Sequence, residues 1–286
     1  MRIDVLTLFP ETLPPYLAAS ILGRAQAAGL VSFHTHQLRD YSQDPHSKVD
    51  DRPFGGGPGM VLMCQPVIDA VRAIEALDPR PALRVLLSPQ GRVFNQALAH
   101  ELAGHDRLLL ICGHYEGFDE RIIEVLQPLE ISLGDFVMTG GEPAALAIID
   151  TVVRLLPGVV GNDNATADES FSTNRLEYPQ YTRPREYAGL SVPDVLLSGN
   201  HAEIEAWRRA QSEERTRRRR PDLLQDSAAG FAIEAQSDAR RSGDVADARV
   251  TPSSLRRAVS PPRRVASSLV ANFAPAGGAA AAPRRK

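Results

Sequence analysis

Short apolar runs recur along the first half of the chain, each closed by a Gly, Pro or Asp signal. The runs at 3–9, 31–38, 83–88, 107–112 and 129–133 predict β-strands. Between them apolar residues return every three or four positions, which predicts helices over 12–28, 66–77, 95–103, 120–126 and 143–156. The last of these is apolar on most faces, through Ala144, Leu146, Ile148, Ile149, Val152, Val153 and Leu156. Such a helix is expected to pack inside the protein or at a subunit interface. Strand–helix alternation predicts an α/β fold whose mainly parallel sheet is covered on both faces.

The pattern then changes. Residues 161–173 are polar and carry no apolar period, and a turn-rich stretch with Pro179, Pro184 and Pro193 follows. A further helix is expected over 201–216, amphipathic through Ile204 and Trp207. This divides the chain into a first domain at 1–160, a flexible linker at 161–173, a small helical domain at 174–225 and a tail at 226–286. The tail is rich in Ala, Ser, Pro, Gly and Arg, and disorder is expected there.

Composition narrows the function classes. An apolar fraction of 43% excludes wholesale disorder. The two cysteines, Cys64 and Cys112, lie in apolar runs and read as buried thiols of a reducing compartment. No apolar stretch approaches the roughly 20 residues that span a bilayer, and the opening MRIDVLTLF reads as a strand rather than a signal peptide. A cytoplasmic location is expected. The net charge of −3 argues against a bulk electrostatic nucleic-acid binder, but Arg215, Arg217, Arg218, Arg219 and Arg220 form a local cationic block. It reads either as a grip for a phosphate backbone or as a solvated helix end.

Four glycine-bearing loops are the candidate chemistry. DDRPFGGGPGM at 50–60 lacks both the P-loop Gly-Lys-Ser/Thr and the third glycine of the dinucleotide fingerprint. LSPQGR at 87–92, CGHYEGFDER at 112–121 and LGDFVMTGGE at 133–142 each follow a predicted strand. Ligands of open parallel sheets bind outside the carboxyl ends of strands, so these three loops predict one shared pocket. Its walls would mix backbone groups, apolar side chains such as Leu133 and Met138, and the acids Glu116 and Asp135. With Lys48 and Lys286 the only lysines, that suits a nucleoside with an apolar appendage better than a polyphosphate. His114 is a general base by type or an ordinary loop histidine. Arg154 either complements a helix dipole or serves a site, and Asp168 and Glu169 are solvated loop acids or catalytic ones.

Taken together, LSPQGR, ICGHYEGFDER, ISLGDFVMTGGE, LPGVVGN, the Ser170–Phe171 pair, YTRP at 181–184 and VLLSGNHAEIEAWR resemble the bacterial tRNA (guanine-N1)-methyltransferases of the SPOUT class. The resemblance runs collinearly over about residues 1–225. It implies a trefoil knot in the first domain and S-adenosylmethionine bound within it. The cofactor would be held by Pro89, Gly113, Tyr115, Leu133, Gly134, Asp135, Phe136, Val137, Met138, Gly140 and Gly141. It also implies magnesium at Glu116, an obligatory homodimer whose active site uses both subunits, and tRNA as the partner, methylated at the guanosine of position 37 beside the anticodon.

Guanine N1 carries a proton at neutral pH, so methylation there needs a base within roughly 2.6–3.2 Å and a positive group at O6, where negative charge grows. The resemblance assigns Arg154 to O6 and the base to the acid before Ser-Phe. That acid is usually Asp in the family and is Glu169 here, with Asp168 one place earlier. Either Glu169 serves directly, or Asp168 does so through a one-residue shift. The unbroken spacing of the later motifs favours Glu169.

Overall fold

The computed structural model describes residues 1–161 and 169–224. Asp168, most of the expected linker and the tail at 226–286 lie outside the described residues.

Five strands form the main sheet: β1 (Arg2–Thr7), β2 (Ser32–Gln37), β5 (Leu83–Val93), β6 (Arg107–Cys112) and β7 (Leu129–Ser132). Their order is β2-β1-β6-β5-β7 and every pairing is parallel. The short strands β3 (Asp50–Asp51) and β4 (Val61–Leu62) pair antiparallel around the glycine-rich segment. Beyond the sheet, β8 (Glu186–Tyr187) and β9 (Leu190–Ser191) form a small exposed hairpin.

Helices cover both faces. Side chains alternate sides along a strand, so Leu108, Leu110 and Cys112 of β6 join one apolar cluster while Leu109 and Ile111 join the other. The first cluster takes in α1 (Pro14–Leu17), α2 (Ser20–Ala27), α4 (Gln96–Ala103) and α6 (Glu142–Val153). The second takes in α3 (Cys64–Glu75) and α5 (Glu120–Leu126). Burial on both faces explains why the LLLI run of β6 is continuously apolar. α7 (His201–Arg219) is joined to the segment at 175–181 by hydrogen bonds to Leu176 and by the ring contact of Tyr181 with Trp207.

The single helix expected over 12–28 is broken. Ala19 is extended (φ −95°, ψ 156°) and Ser20 takes a positive φ of 49°, so α1 and α2 are separate. The break lets Leu13 and Leu17, then Leu22 and Ala25, face the same core in two orientations. β5 runs further than the expected 83–88. It bulges between Leu87 and Arg92, and both residues align with Ile131 of β7. Residues 88–91 are thus pushed out of the ladder at the end of the strand.

One buried network ties β1 to β6. Arg107 is 1% exposed; its Nε donates to Asp4 at 3.0 Å, and its other nitrogens donate to the carbonyls of Ile74, Glu75, Asp78 and Arg80. It therefore satisfies the orphan carbonyls at the end of α3. Burial alone would raise the Asp4 carboxyl. Hydrogen bonds from His36, Arg2 and Arg107 outweigh it and hold Asp4 well below the usual carboxylate range.

Candidate active site

The carboxyl ends of β5, β6 and β7 open onto one cavity of about 310 Å³. Segments 86–90, 113–118, 131–133 and 136–141 line it, as expected for an open parallel sheet. Of the eleven residues named for the cofactor, Pro89, Gly113, Tyr115, Leu133, Phe136, Val137, Met138, Gly140 and Gly141 line the cavity. Gly134 and Asp135 do not; Gly134 supports the loop at φ +151°, a conformation that disfavours any side chain.

Backbone contacts lock these loops together. Gly141 N–H donates to Gly113 O at 2.9 Å, and His114 and Gly140 form an isolated bridge. A Cβ on Gly141 would lie 2.8 Å from Cys112 Cα, so the approach of the two loops requires glycine there. The fourth glycine loop docks on the same rim. Glu116 N–H donates to Met60 O at 3.0 Å, and Leu62 N–H to Gly117 O at 2.9 Å. Within that loop Phe54 is fully in solvent, 99% exposed.

The cavity suits a nucleoside with an apolar arm. Leu87, Leu133 and Ala144 supply apolar wall, backbone groups of 113 and 139–141 supply directed polarity, and Glu116 and Glu120 supply two carboxylates. Among the described residues no group of three or more His, Cys, Asp or Glu could cage a metal. The Glu116 and Glu120 carboxylates still fit magnesium, which usually keeps several waters and takes one or two protein carboxylates plus a ligand.

Beneath the cavity lies a pairing that sequence reasoning missed. Glu142, 8% exposed at the first turn of α6, accepts from His114 Nε2 at 2.8 and 2.9 Å and from the hydroxyl of Thr7. Thr7 and Glu142 lie 135 residues apart in the chain, so no local pattern in the sequence pairs them. The nearby Cys112 thiol is pushed well up by its burial and by the Glu142 charge.

The two residues named for catalysis also meet. Arg154, the C-cap of α6, donates Nη1 to Glu169 Oε2 at 2.6 Å and Nη2 to Oε1 at 2.5 Å. This is a bidentate fork with both side chains about one-third exposed or less. The fork holds the Glu169 carboxyl below its ordinary range and raises Arg154, although partial burial opposes both shifts. Downstream, Ser170 Oγ accepts from Glu177 N–H, Phe171 N–H donates to Arg175 O, and Leu176 is pinned to α7 by Ser212 and Thr216.

The cationic block lies on the last turns of α7. Arg217 to Arg220 are exposed and Arg215 is half-buried. Two of its charges are already engaged: Arg217 pairs with Glu214 at 3.0 Å and Arg220 with Asp222 at 2.7 Å. No described helix is long and apolar enough to cross a membrane.

A family profile described as tRNA (Guanine-1)-methyltransferase TrmD matches residues 1–226. The tRNA (guanine-N(1)-)-methyltransferase of Rhodopirellula baltica is 58% identical over 227 residues, covering 78% of this chain and 94% of its own length. That of Ruminiclostridium cellulolyticum is 56% identical over 225 residues, 78% of this chain and 96% of its own. That of Dehalococcoides mccartyi is 55% identical over 225 residues, 79% and 91% respectively.

Proposed function

The chain belongs to the tRNA (guanine-1)-methyltransferase family, and we propose that it methylates N1 of the guanine at position 37 of tRNA, with S-adenosylmethionine as methyl donor. The observation that carries this reading is the fork between Arg154 and Glu169. A guanine presents N1–H as donor beside O6 as acceptor. A carboxylate that accepts and a guanidinium that donates are complementary to that edge. Without a base the two residues satisfy each other; with one, Glu169 takes the N1 proton and Arg154 stabilises charge at O6.

The strand-end cavity would hold S-adenosylmethionine, whose sulfonium supplies an electrophilic methyl group. This chain's residues orient the donor, exclude water and fix the loops around it. Magnesium would be held by Glu116 together with water and ligand oxygens. The trefoil knot belongs to the same proposal, supported by the way the loop entering α6 packs on the backbone of Cys112 and Gly113.

The position of the fork supports a homodimer. The cavity sits at the amino end of α6 and Arg154 at its carboxyl end. Twelve helical residues separate them by about 18 Å at 1.5 Å per residue. Transfer needs reacting atoms about 3–3.5 Å apart. A two-fold partner brings the fork of one subunit to the cavity of the other, and the exposed Phe136 (55%) and Val137 (85%) at the cavity mouth give it apolar surface to cover. The exposed arginines of α7 would hold phosphates of the anticodon stem. The cytoplasm, where tRNA is processed, is the proposed location.

The test is transfer of a labelled methyl group to an anticodon stem-loop carrying guanosine, or inosine in its place, with the product mapped. Label on N1 is the expected result. Label on another atom, or none, refutes the reading.

A further inference from the structure

The mechanism leaves a buried ionisable couple under the cavity unused, the Thr7–Glu142–His114 relay. It joins three elements distant in sequence: the end of β1, the first turn of α6 and the loop after β6. Resting on the cofactor reading above, we propose that this relay is the positioning device of the donor cavity, with Glu142 clamping His114 so that the 113–116 and 139–141 loops keep the spacing a bound nucleoside needs.

Four observations carry it. First, His114 lines the cavity and is 13% exposed at its side chain, whereas Glu142 lies behind it at 10%. The carboxylate thus acts through the imidazole. Second, a carboxylate only accepts, so the Nε2 held at 2.8 and 2.9 Å by its two oxygens is the protonated ring nitrogen. That fixes the ring's tautomer and rotation. Third, the couple fills the space over Gly140, where a Cβ would lie 2.3 Å from His114 Cε1 and 2.6 Å from Glu142 Oε2. The glycine and the couple are complementary shapes. Fourth, the ring is held edge-on by Phe9 at 5.0 Å, and the backbone of Phe9 donates in turn to Thr7 Oγ1 at 3.0 Å. Every member has a partner on a different element, as expected of a buried polar network that specifies geometry.

The relay is tested on the full-length protein by calorimetric binding of S-adenosylhomocysteine, which needs neither tRNA nor turnover, alongside thermal unfolding without ligand. Two conservative pairs separate positioning from bulk. Thr7→Ser keeps the donor and Thr7→Val keeps the shape. His114→Gln can place an N–H near the Nε2 position, and His114→Asn is too short to reach Glu142. Expected are affinities within about twofold of wild type for the Ser and Gln variants and a loss of at least about tenfold for Val and Asn, one decade being about 1.4 kcal/mol. The KM for the donor should rise likewise, with kcat changed less. Wild-type binding with all four variants unchanged, or losses that follow side-chain size rather than hydrogen bonding, overturns the inference alone. A wild-type protein that takes up no S-adenosylhomocysteine overturns the cofactor reading and this inference with it.

Discussion

Replacing Glu169 by Gln separates the chemical role of the Arg154–Glu169 fork from its structural one. The amide keeps the size and one acceptor of the carboxylate but is no base. Loss of a general base costs typically 10²–10⁴ in rate, so turnover should fall at least about 10²-fold, roughly 2.7 kcal/mol of barrier. The ground-state effect is far smaller. Both side chains are partly exposed, so the fork contributes no more than about 1 kcal/mol. Since guanine must part the fork to bind, losing it moves the KM for tRNA by about fivefold at most. The signature is a collapse of kcat with a nearly unmoved KM. Glu169→Asp, which keeps the carboxylate, should stay within about tenfold of wild type. Arg154→Lys keeps the charge but loses the planar fork and should lose about 10²–10³ in kcat. Single-turnover transfer of labelled methyl to a saturating stem-loop reads the chemical step directly. A Gln variant within tenfold of wild type refutes Glu169 as the base, and loss in Asp168→Asn alone would move the role one residue back. The sign of the pH effect is fixed too. The Glu169 carboxyl is lowered by Arg154, so the fork's contribution is full above the ordinary carboxylate value and is lost only as pH falls through the lower, paired one.

Asp4 is held well below the carboxylate range by His36, Arg2 and Arg107; its stabilisation is present above about pH 4 and lost as pH falls through the depressed value. Thermal midpoints should therefore be level from pH 7 to 5 and drop below 4, and Asp4→Asn should flatten that acid limb while lowering the midpoint at pH 7. Gly141→Ala forces a Cβ against the Cys112 and Gly113 backbone; calorimetry should show S-adenosylhomocysteine affinity reduced by more than tenfold, and unchanged affinity would contradict the packing described. Mixed dimers of Gly141→Ala with Glu169→Gln chains should regain about a quarter of wild-type activity, since random pairing makes half the dimers mixed and each of those has one intact site; activity no greater than the sum of the separate variants argues for sites within one subunit. Neutralising Arg217, Arg218 and Arg219 together should lower the salt slope of tRNA binding by two to three, about one per phosphate contact, because Arg217 is partly engaged by Glu214.

Segments governed by local rules were legible in the sequence. The expected strand at 107–112 and helix at 120–126 coincide with β6 and α5, the first because it is apolar on both faces, the second because Asp119 caps it through Arg121 N–H. The convergence of three glycine loops was legible because strand ends in a parallel sheet share an edge. What escaped depends on distance. No periodicity announces that Ser20 turns to positive φ, or that Arg92 rejoins β7 after a four-residue bulge. Nor does it show that Thr7 and His114 converge on Glu142. Glu169 and Arg154, 15 residues apart, were paired by resemblance to known enzymes, and composition alone left each open between a solvated charge and a site residue.

These two classes of residue meet in α6. Its first turn holds Glu142 behind His114 of the cavity wall, and its C-cap supplies Arg154 to the fork. A rigid helix of twelve residues keeps its ends about 18 Å apart, which is the ground for proposing that the fork of one subunit serves the cavity of another. In the proposed two-fold dimer, a site split between the subunits would make assembly a condition of reactivity. The apolar character of α6, first noticed as suited either to a core or to an interface, serves the core through Ile148, Ile149, Val152 and Val153. Phe136 and Val137, exposed at the cavity mouth, are the apolar surface that the proposed partner would cover.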